Sequence, residues 1–327
     1  METLFQTIKE LYGLELHSSE KVTKGFLSEN HVLFSADKKF FLKKYRFDKE
    51  GRIKEVHAAK HYFAQHGIPV ILPLSTQENN TYFFFENGYF ALFPFVEGKQ
   101  FERGDFSEKS ITSLGAMLAN IHLAGKSAEV VNNDAFSVPA LEKSLEKIEV
   151  ILGVINSKEV LDQFDLDALR SIELKKQLLV KNSATDKDAL LPNDHLIHGD
   201  YLDQNVFFND QDEVSFVFDF EKTNYSPRTY ELFRSMMYSF LDLTNLELSS
   251  AQMKVYFDAY IRVYPMSDDE VMKGLKLFQL KAQHDFWVES EHYLKNSTRV
   301  DQFLNNAYYR VKYLDEEFDT LLNKLLS

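Results

Sequence analysis

The chain is organised around His195-Leu196-Ile197-His198-Gly199-Asp200-Tyr201-Leu202-Asp203-Gln204-Asn205-Val206-Phe207-Phe208, followed closely by Val214-Ser215-Phe216-Val217-Phe218-Asp219-Phe220-Glu221. Two short apolar runs, Leu196-Ile197 and Val214 to Phe218, have the length and composition of buried strands. Between and after them stand an Asp, an Asn five residues later, and a second Asp where the last apolar run ends. Strand ends followed by polar side chains are places where a fold can hold chemistry on a rigid support.

Those residue types in that order suit phosphoryl transfer. One carboxylate must orient or accept the proton of the attacking hydroxyl, and an amide oxygen with a second carboxylate must hold a divalent cation against nucleotide phosphates. Hard oxygen donors suit Mg²⁺, which keeps several waters and takes one or two protein carboxylates.

Outward from this centre the pattern differs on the two sides. Towards the N-terminus, Leu4, Ile8 and Leu11 lie on one helical face that Gly13 ends. Val32 and Phe34, then Phe40 to Leu42, flank a turn at 36–39 and predict a hairpin. A helix is expected from Lys49 to His66, and a second hairpin over Thr81–Phe85 and Gly88–Phe95. After Gly98 long helical patterns take over. Asp105 with Glu108 reads as a capping pair ahead of the stripe Ile111, Leu114, Leu118 and Ile121. Further helices are expected at Leu141–Leu152, Lys158–Lys181 and through most of 231–326. The expected architecture is α+β, with a small lobe over 1–98 built on an antiparallel sheet and a larger, mostly helical lobe over 99–327. A cleft between lobes is a common ligand site.

His198-Gly199-Asp200 with Asn205, followed by Asp219-Phe220-Glu221, resembles the signature of the aminoglycoside phosphotransferase and choline kinase-like superfamily, whose members share the two-lobed protein-kinase-like fold and phosphorylate hydroxyls of small molecules. The resemblance implies an ATP- and Mg²⁺-dependent phosphotransferase with Asp200 as the catalytic carboxylate and Asn205 and Asp219 as metal ligands. It places the ATP-binding lysine in Phe40-Phe41-Leu42-Lys43-Lys44-Tyr45. Side chains alternate along a strand, so Phe41, Lys43 and Tyr45 share a face, and the aromatic neighbours favour Lys43 over Lys44. Glu55 stands where the family carries the glutamate that pairs with this lysine. Gly25 and Ser28 fall in the stretch resembling the phosphate-covering loop, where a plain β-turn is an equally good reading. Phe93-Pro94-Phe95 resembles the hinge. Pro94 has no N–H, which leaves Phe95 N–H and the Phe93 carbonyl to meet adenine. His198 reads as structural. Asp285, Trp287 and Glu289 offer carboxylates and a ring that could hold an ammonium group of the acceptor; Trp287 in a core with solvated neighbours is the plainer reading.

Departures from the family pattern are also visible. Leu202 occupies a position usually Lys in Ser/Thr protein kinases, Glu221 replaces a Gly, no Ala-Pro-Glu follows, and Glu231 replaces a supporting Asp. They point away from a conventional eukaryotic-type protein kinase, and the resemblance implies a small-molecule hydroxyl acceptor, such as an amino sugar or amino alcohol. A stress-response-type Ser/Thr protein kinase, a nucleotide-binding pseudokinase, and a metal-dependent hydrolase using His198, Asp200 and Asp219 are the alternatives.

Composition sets outer limits. The 327 residues carry 37 Lys and Arg against 50 Asp and Glu, a net charge of −13, which argues against phosphate-backbone binding to nucleic acid. With no cysteine there are no disulfides, thiolate metal sites or Cys nucleophiles, and a reducing cytoplasm is expected. Met1 to Lys9 lacks the pattern of a signal peptide, and no apolar run approaches membrane-span length, so no membrane partner is expected.

Overall fold

Strand alternation sets the architecture of the first hundred residues. A computed structural model describes residues 1–22, 30–47, 49–102, 104–131, 136–182 and 191–327. Helix α1 (Glu2–Tyr12) is followed by β1 (Ser18–Lys21), β2 (Asn30–Phe34), β3 (Lys39–Lys44), α2 (Glu50–Gln65), β4 (Phe83–Phe85) and β5 (Gly88–Pro94). The strands form one antiparallel sheet in the order β1-β2-β3-β5-β4. Phe40 and Leu42 of β3, with Leu33, Phe90 and Leu92, face Leu4 and Ile8 of α1. Phe41 and Tyr45, with Ala91 and Phe93, face Ile53 of α2. The sheet is therefore covered on both faces, and Lys43 lies on the α2 side. Each fully buried Leu or Phe contributes ~1.5–3 kcal/mol to this packing.

Beyond the sheet the chain runs through α3 (Glu108–Gly125), α4 (Leu141–Asn156), α5 (Gln163–Asn182), β6 (His195–Ile197), β7 (Val206–Phe208), β8 (Val214–Val217) and β9 (Asn224–Ser226). It closes with α6 (Arg228–Phe240), α7 (Leu246–Val263), α8 (Asp268–Gln283), α9 (Trp287–Lys295), α10 (Leu304–Glu316) and α11 (Phe318–Leu326). The expected antiparallel sheet and mostly helical remainder are both present. β6 pairs with β9 and β7 with β8, giving two small two-stranded ladders. The main core joins α3, α6 and α7 through Leu114, Leu118, Phe233, Met237, Tyr256 and Phe257. At the α3–α7 crossing a Cβ on Gly115 would lie 2.4 Å from the Tyr256 carbonyl oxygen, so only glycine permits this approach. Among the described residues no helix is long and apolar enough to cross a membrane.

Two helix starts differ from the sequence expectation, each for a capping reason. Ser107, not Asp105, is the N-cap of α3; its Oγ accepts from Ser110 N–H at 3.1 Å and donates to Asp212 at 2.8 Å. Helix α5 begins at Gln163 rather than Lys158. Asp162 and Asp165 cap it reciprocally, each side chain accepting the other's N–H at 2.9 and 3.0 Å. Buried Asp165 also takes bonds from Lys158 and Tyr293, which fixes that start.

The capping assignment for α3 is directly testable. Ser107→Ala should lower stability by about 1 kcal/mol in urea unfolding, whereas Asp105→Ala should stay within about 0.5 kcal/mol of wild type. The reverse order would contradict it.

Candidate active site

The β7–β8 hairpin brings the two ends of the chemical stretch together. Val206 pairs with Val217, so Asn205 and Phe218 flank the ladder, and Phe218 N–H donates to the Asn205 carbonyl at 3.0 Å. Asp219 follows immediately. Its backbone is left-handed (φ +65°), a conformation Asp tolerates better than most residues, and this turns its carboxylate out of the strand line. Asn205 commits its side-chain N–H₂ to the Asp200 carbonyl at 2.8 Å. Its Oδ1 remains an acceptor.

The loop that presents Asp200 hangs on one buried carboxylate. Glu231, in the first turn of α6, accepts from Gly199 N–H at 2.5 Å and Tyr201 N–H at 3.3 Å through Oε1. Its Oε2 accepts from His198 N–H at 3.0 Å and from His122 Nε2 at 3.1 Å. Burial alone would raise the pKa of this acid. The His122 bond and the neighbouring histidines outweigh it, so Glu231 stays below the usual range. Gly199 (φ +85°) cannot be replaced without strain, because a Cβ there would lie 2.0 Å from the Lys222 carbonyl oxygen. His198 donates through Nε2 to the Phe218 carbonyl at 2.8 Å and accepts Asp200 N–H at Nδ1 at 3.2 Å. Burial lowers its pKa, which keeps the ring neutral as this tautomer requires.

Asp200 itself is flanked by cations. Arg234 Nη2 lies 2.6 Å from Oδ1 and Lys222 Nζ 3.0 Å from Oδ2. Burial would raise its pKa, but these two charges bring it down to about 2. The folded value lies below that of the unfolded chain, so the stabilisation is present at neutral pH and is lost as pH falls towards 2.

Lys43 reaches the same place from the sheet. Its ammonium is 2.7 Å from Asp219 Oδ1 and 2.6 Å from Glu221 Oε1. Burial would lower its pKa, and the two carboxylates more than reverse that. Lys44 lies against Phe90 on the opposite face. Glu55 does not take the expected pairing: it bonds Arg52 at 3.1 Å, while Glu221 stands beside Lys43. The cause is helical phase, since α2 turns Ile53, Val56, His57 and Lys60 inward and leaves Glu55 on the flank. Arg52 Nη2 also donates to the Glu221 and Thr223 carbonyls at 2.8 and 2.7 Å, tying α2 to the Asp219 segment. Lys60 is buried 4.3 Å from the Phe93 ring centroid, and burial beside Lys43 brings its pKa to about 7.

Other expected ligand groups are placed differently. Tyr45 N–H donates to the Tyr89 carbonyl, and two-residue alternation from that pair turns the Phe93 carbonyl towards Phe41 in the ladder. The Phe93 carbonyl therefore belongs to the sheet rather than to a ligand; Phe95 sits just past the ladder's end. Glu289 is fully buried in an ion pair with Lys175 at 2.8 Å, so it is not a cleft residue. Asp285 accepts from the N–H of Trp287, the first residue of α9, and the exposed Trp287 ring stacks on Phe303. Gly25 and Ser28 lie outside the described residues. Sequence reading did not single out Arg234, Lys222, Lys60 or Arg52. Arg234 is three residues after Glu231, one turn along the same helix, which is a signal only once Glu231 is known to support the loop.

The donor set suits a divalent cation with bound phosphates. Asn205 Oδ1 and the Asp219 carboxylate, 37% exposed, are hard oxygens on adjacent backbone, and Lys43 adds a charge for phosphate oxygens. Among the described residues no three His, Asp or Glu side chains are grouped to hold a metal by themselves.

Comparison with known proteins bears on this geometry. A family model described as the phosphotransferase enzyme family matches residues 21–274. No curated protein matches the chain. Among solved structures, a spectinomycin phosphotransferase in complex with ADP and spectinomycin is 15% identical with a TM-score of 0.70, covering 100% of this chain and 97% of that one. An aminoglycoside phosphotransferase from Alicyclobacillus acidocaldarius is 15% identical with a TM-score of 0.69, over 98% and 95% of the two chains. A microcompartment-associated aminopropanol kinase is 12% identical with a TM-score of 0.67, over 100% and 99%. At these identities the likeness is one of fold.

Glu231→Gln tests the cradle. It turns one acceptor oxygen into a donor facing backbone N–H groups and should cost about 2–4 kcal/mol in urea unfolding. A loss below about 0.5 kcal/mol would contradict the role given to Glu231.

Proposed function

The chain belongs to the phosphotransferase enzyme family, and from that premise we propose that it transfers the γ-phosphoryl group of ATP, with Mg²⁺, to a hydroxyl of a small molecule. The observation that carries this reading is the meeting of Asp200, Asn205 and Asp219 with Lys43, which comes from the sheet. The division between a nucleotide-binding lobe and an acceptor-binding lobe is taken at Gly98.

Asp200 accepts a hydrogen bond from the acceptor hydroxyl and aims its lone pair along the line of transfer. Its low pKa means it is ionised throughout the neutral range. It takes the hydroxyl proton as the new O–P bond forms and the bond to the ADP oxygen breaks. Asn205 Oδ1 and Asp219 would hold Mg²⁺, which when bound supplies positive charge to the nucleotide phosphates. Lys43 gives up part of its bond to Asp219 and turns to phosphate oxygens, while Glu221 keeps it in place. Lys222, beside Asp200, offers the transferred group a cation at a site where Leu202 has none to give. Phe95 N–H, past the end of the sheet ladder, is the donor for adenine. Most of the acceleration comes from positioning and charge rather than covalent chemistry.

An ADP-release assay tests the assignment. Asp200→Asn should lower kcat by ~10²-fold or more while leaving nucleotide affinity nearly unchanged. An unchanged kcat would refute the catalytic role of Asp200.

A further inference from the structure

The acceptor side of Asp200 has an unexpected charge. Arg234 stands on α6 with Tyr230 one turn before it and Tyr238 one turn after. The Arg234 guanidinium lies 4.9 Å from the Tyr238 ring centroid, and the guanidinium of Arg310, on α10, lies 3.7 Å from the same centroid. Two like charges thus gather on one ring, beside a third, Lys222, at Asp200. The protein as a whole carries −13, so this is not a general surplus of cations.

Each guanidinium has one buried nitrogen left without a partner. Arg234 uses Nη2 on Asp200, but its Nη1 is buried without a hydrogen-bond partner. Arg310 has its Nε buried and unpartnered, and no carboxylate among the described residues pairs with it. Buried N–H groups left unmade are costly, and a guanidinium fork is shaped for a planar or tetrahedral oxyanion. Asp285, close enough to act on the Tyr230 phenol, is the nearby acid on that side, but its Oδ1 accepts Trp287 N–H.

We propose that the Arg234–Tyr238–Arg310 cluster receives an anionic group of the acceptor, a carboxylate or a phosphate, so that the phosphorylated hydroxyl belongs to a hydroxy acid or a sugar phosphate rather than to a polycation. This rests on the phosphotransferase reading and specifies its substrate class. Arg310 would bind the anion from α10, with the free Nη1 of Arg234 as the second donor. The Nη2 bond meanwhile keeps Asp200 fixed towards the hydroxyl. An aminoglycoside or a simple amino alcohol would bring its ammonium groups against three cations.

Two measurements test this, using the full chain. The first compares thermal unfolding in sulfate and in chloride at equal ionic strength. Sulfate stabilises proteins in general, so the quantity read is the extra shift of wild type over Arg310→Gln. Wild type should gain clearly more than Arg310→Gln, with Arg310→Lys between them. Equal gains in all three would overturn the proposal. The second measures ADP release with glycerate and glycerol 3-phosphate against glycerol, and with gluconate against glucosamine. The anionic members should be preferred about tenfold or more, with the better of the first two telling carboxylate from phosphate. Arg310→Gln should raise the acceptor KM by a similar factor and leave the ATP KM unmoved. Turnover of glycerate or glycerol 3-phosphate that Arg310→Gln does not alter would also overturn it. Failure of the underlying reading looks different: Asp200→Asn would then release ADP as wild type does, whatever sulfate shows.

Discussion

One buried carboxylate holds the candidate site in shape. Glu231 gathers the N–H groups of His198, Gly199 and Tyr201 and a ring N–H of His122 onto its two oxygens. A loop between β6 and the Asp203–Asn205 turn has no ladder of its own to satisfy these groups, and backbone N–H groups buried without acceptors are not tolerated. A charged acceptor makes each of these bonds stronger than a neutral one would. The conformation they impose is one that only Gly199 can adopt, and it sets Asp200 against Arg234 one turn along the helix that carries Glu231. Loop shape, carboxylate direction and the charge beside it therefore have a common origin in α6.

A second network joins the sheet to the helical part. Lys43 is shared between Asp219 and Glu221, and Arg52 holds the Glu221 and Thr223 carbonyls from α2. Lys43 has a firm partner in Glu221 and a more exposed one in Asp219. An arrangement of that kind can surrender one bond to an incoming phosphate without leaving a buried ammonium unpaired, which would be far more costly. The segment after β8 thus supplies both the candidate metal ligand and the anchor for the lysine beside it.

Much of this was legible in the sequence, and the reasons are local. Period-two alternation put Lys43 rather than Lys44 on the inner face, and the hairpins around β2–β3 and β4–β5 announced themselves by their turns. The spacing of Asp200, Asn205 and Asp219 reflected a hairpin that closes over them. What the sequence hid depended on helix phase and on contacts between distant segments. Glu55 and Lys60 sit on one helix, and only the exact rotation of α2 decides which of them turns inward. Glu289 read as a solvated acid beside a tryptophan in the core, yet α9 turns it inward to Lys175, which lies more than a hundred residues earlier, and leaves the Trp287 ring exposed. Arg310 carried no signal at all, because its neighbour Tyr238 belongs to a helix far away in sequence.

The proposed transfer requires Asn205 and Asp219 to present one cation site in front of Asp200. A crystal grown with Mn²⁺ and a non-hydrolysable ATP analogue would test it most directly, through the anomalous signal of the metal. A single strong peak is expected, bonded to Asn205 Oδ1 and the Asp219 carboxylate at about 2.0–2.3 Å, with the terminal phosphate turned towards Asp200. A metal bound elsewhere, or a nucleotide whose phosphates point away from Lys43, would contradict it.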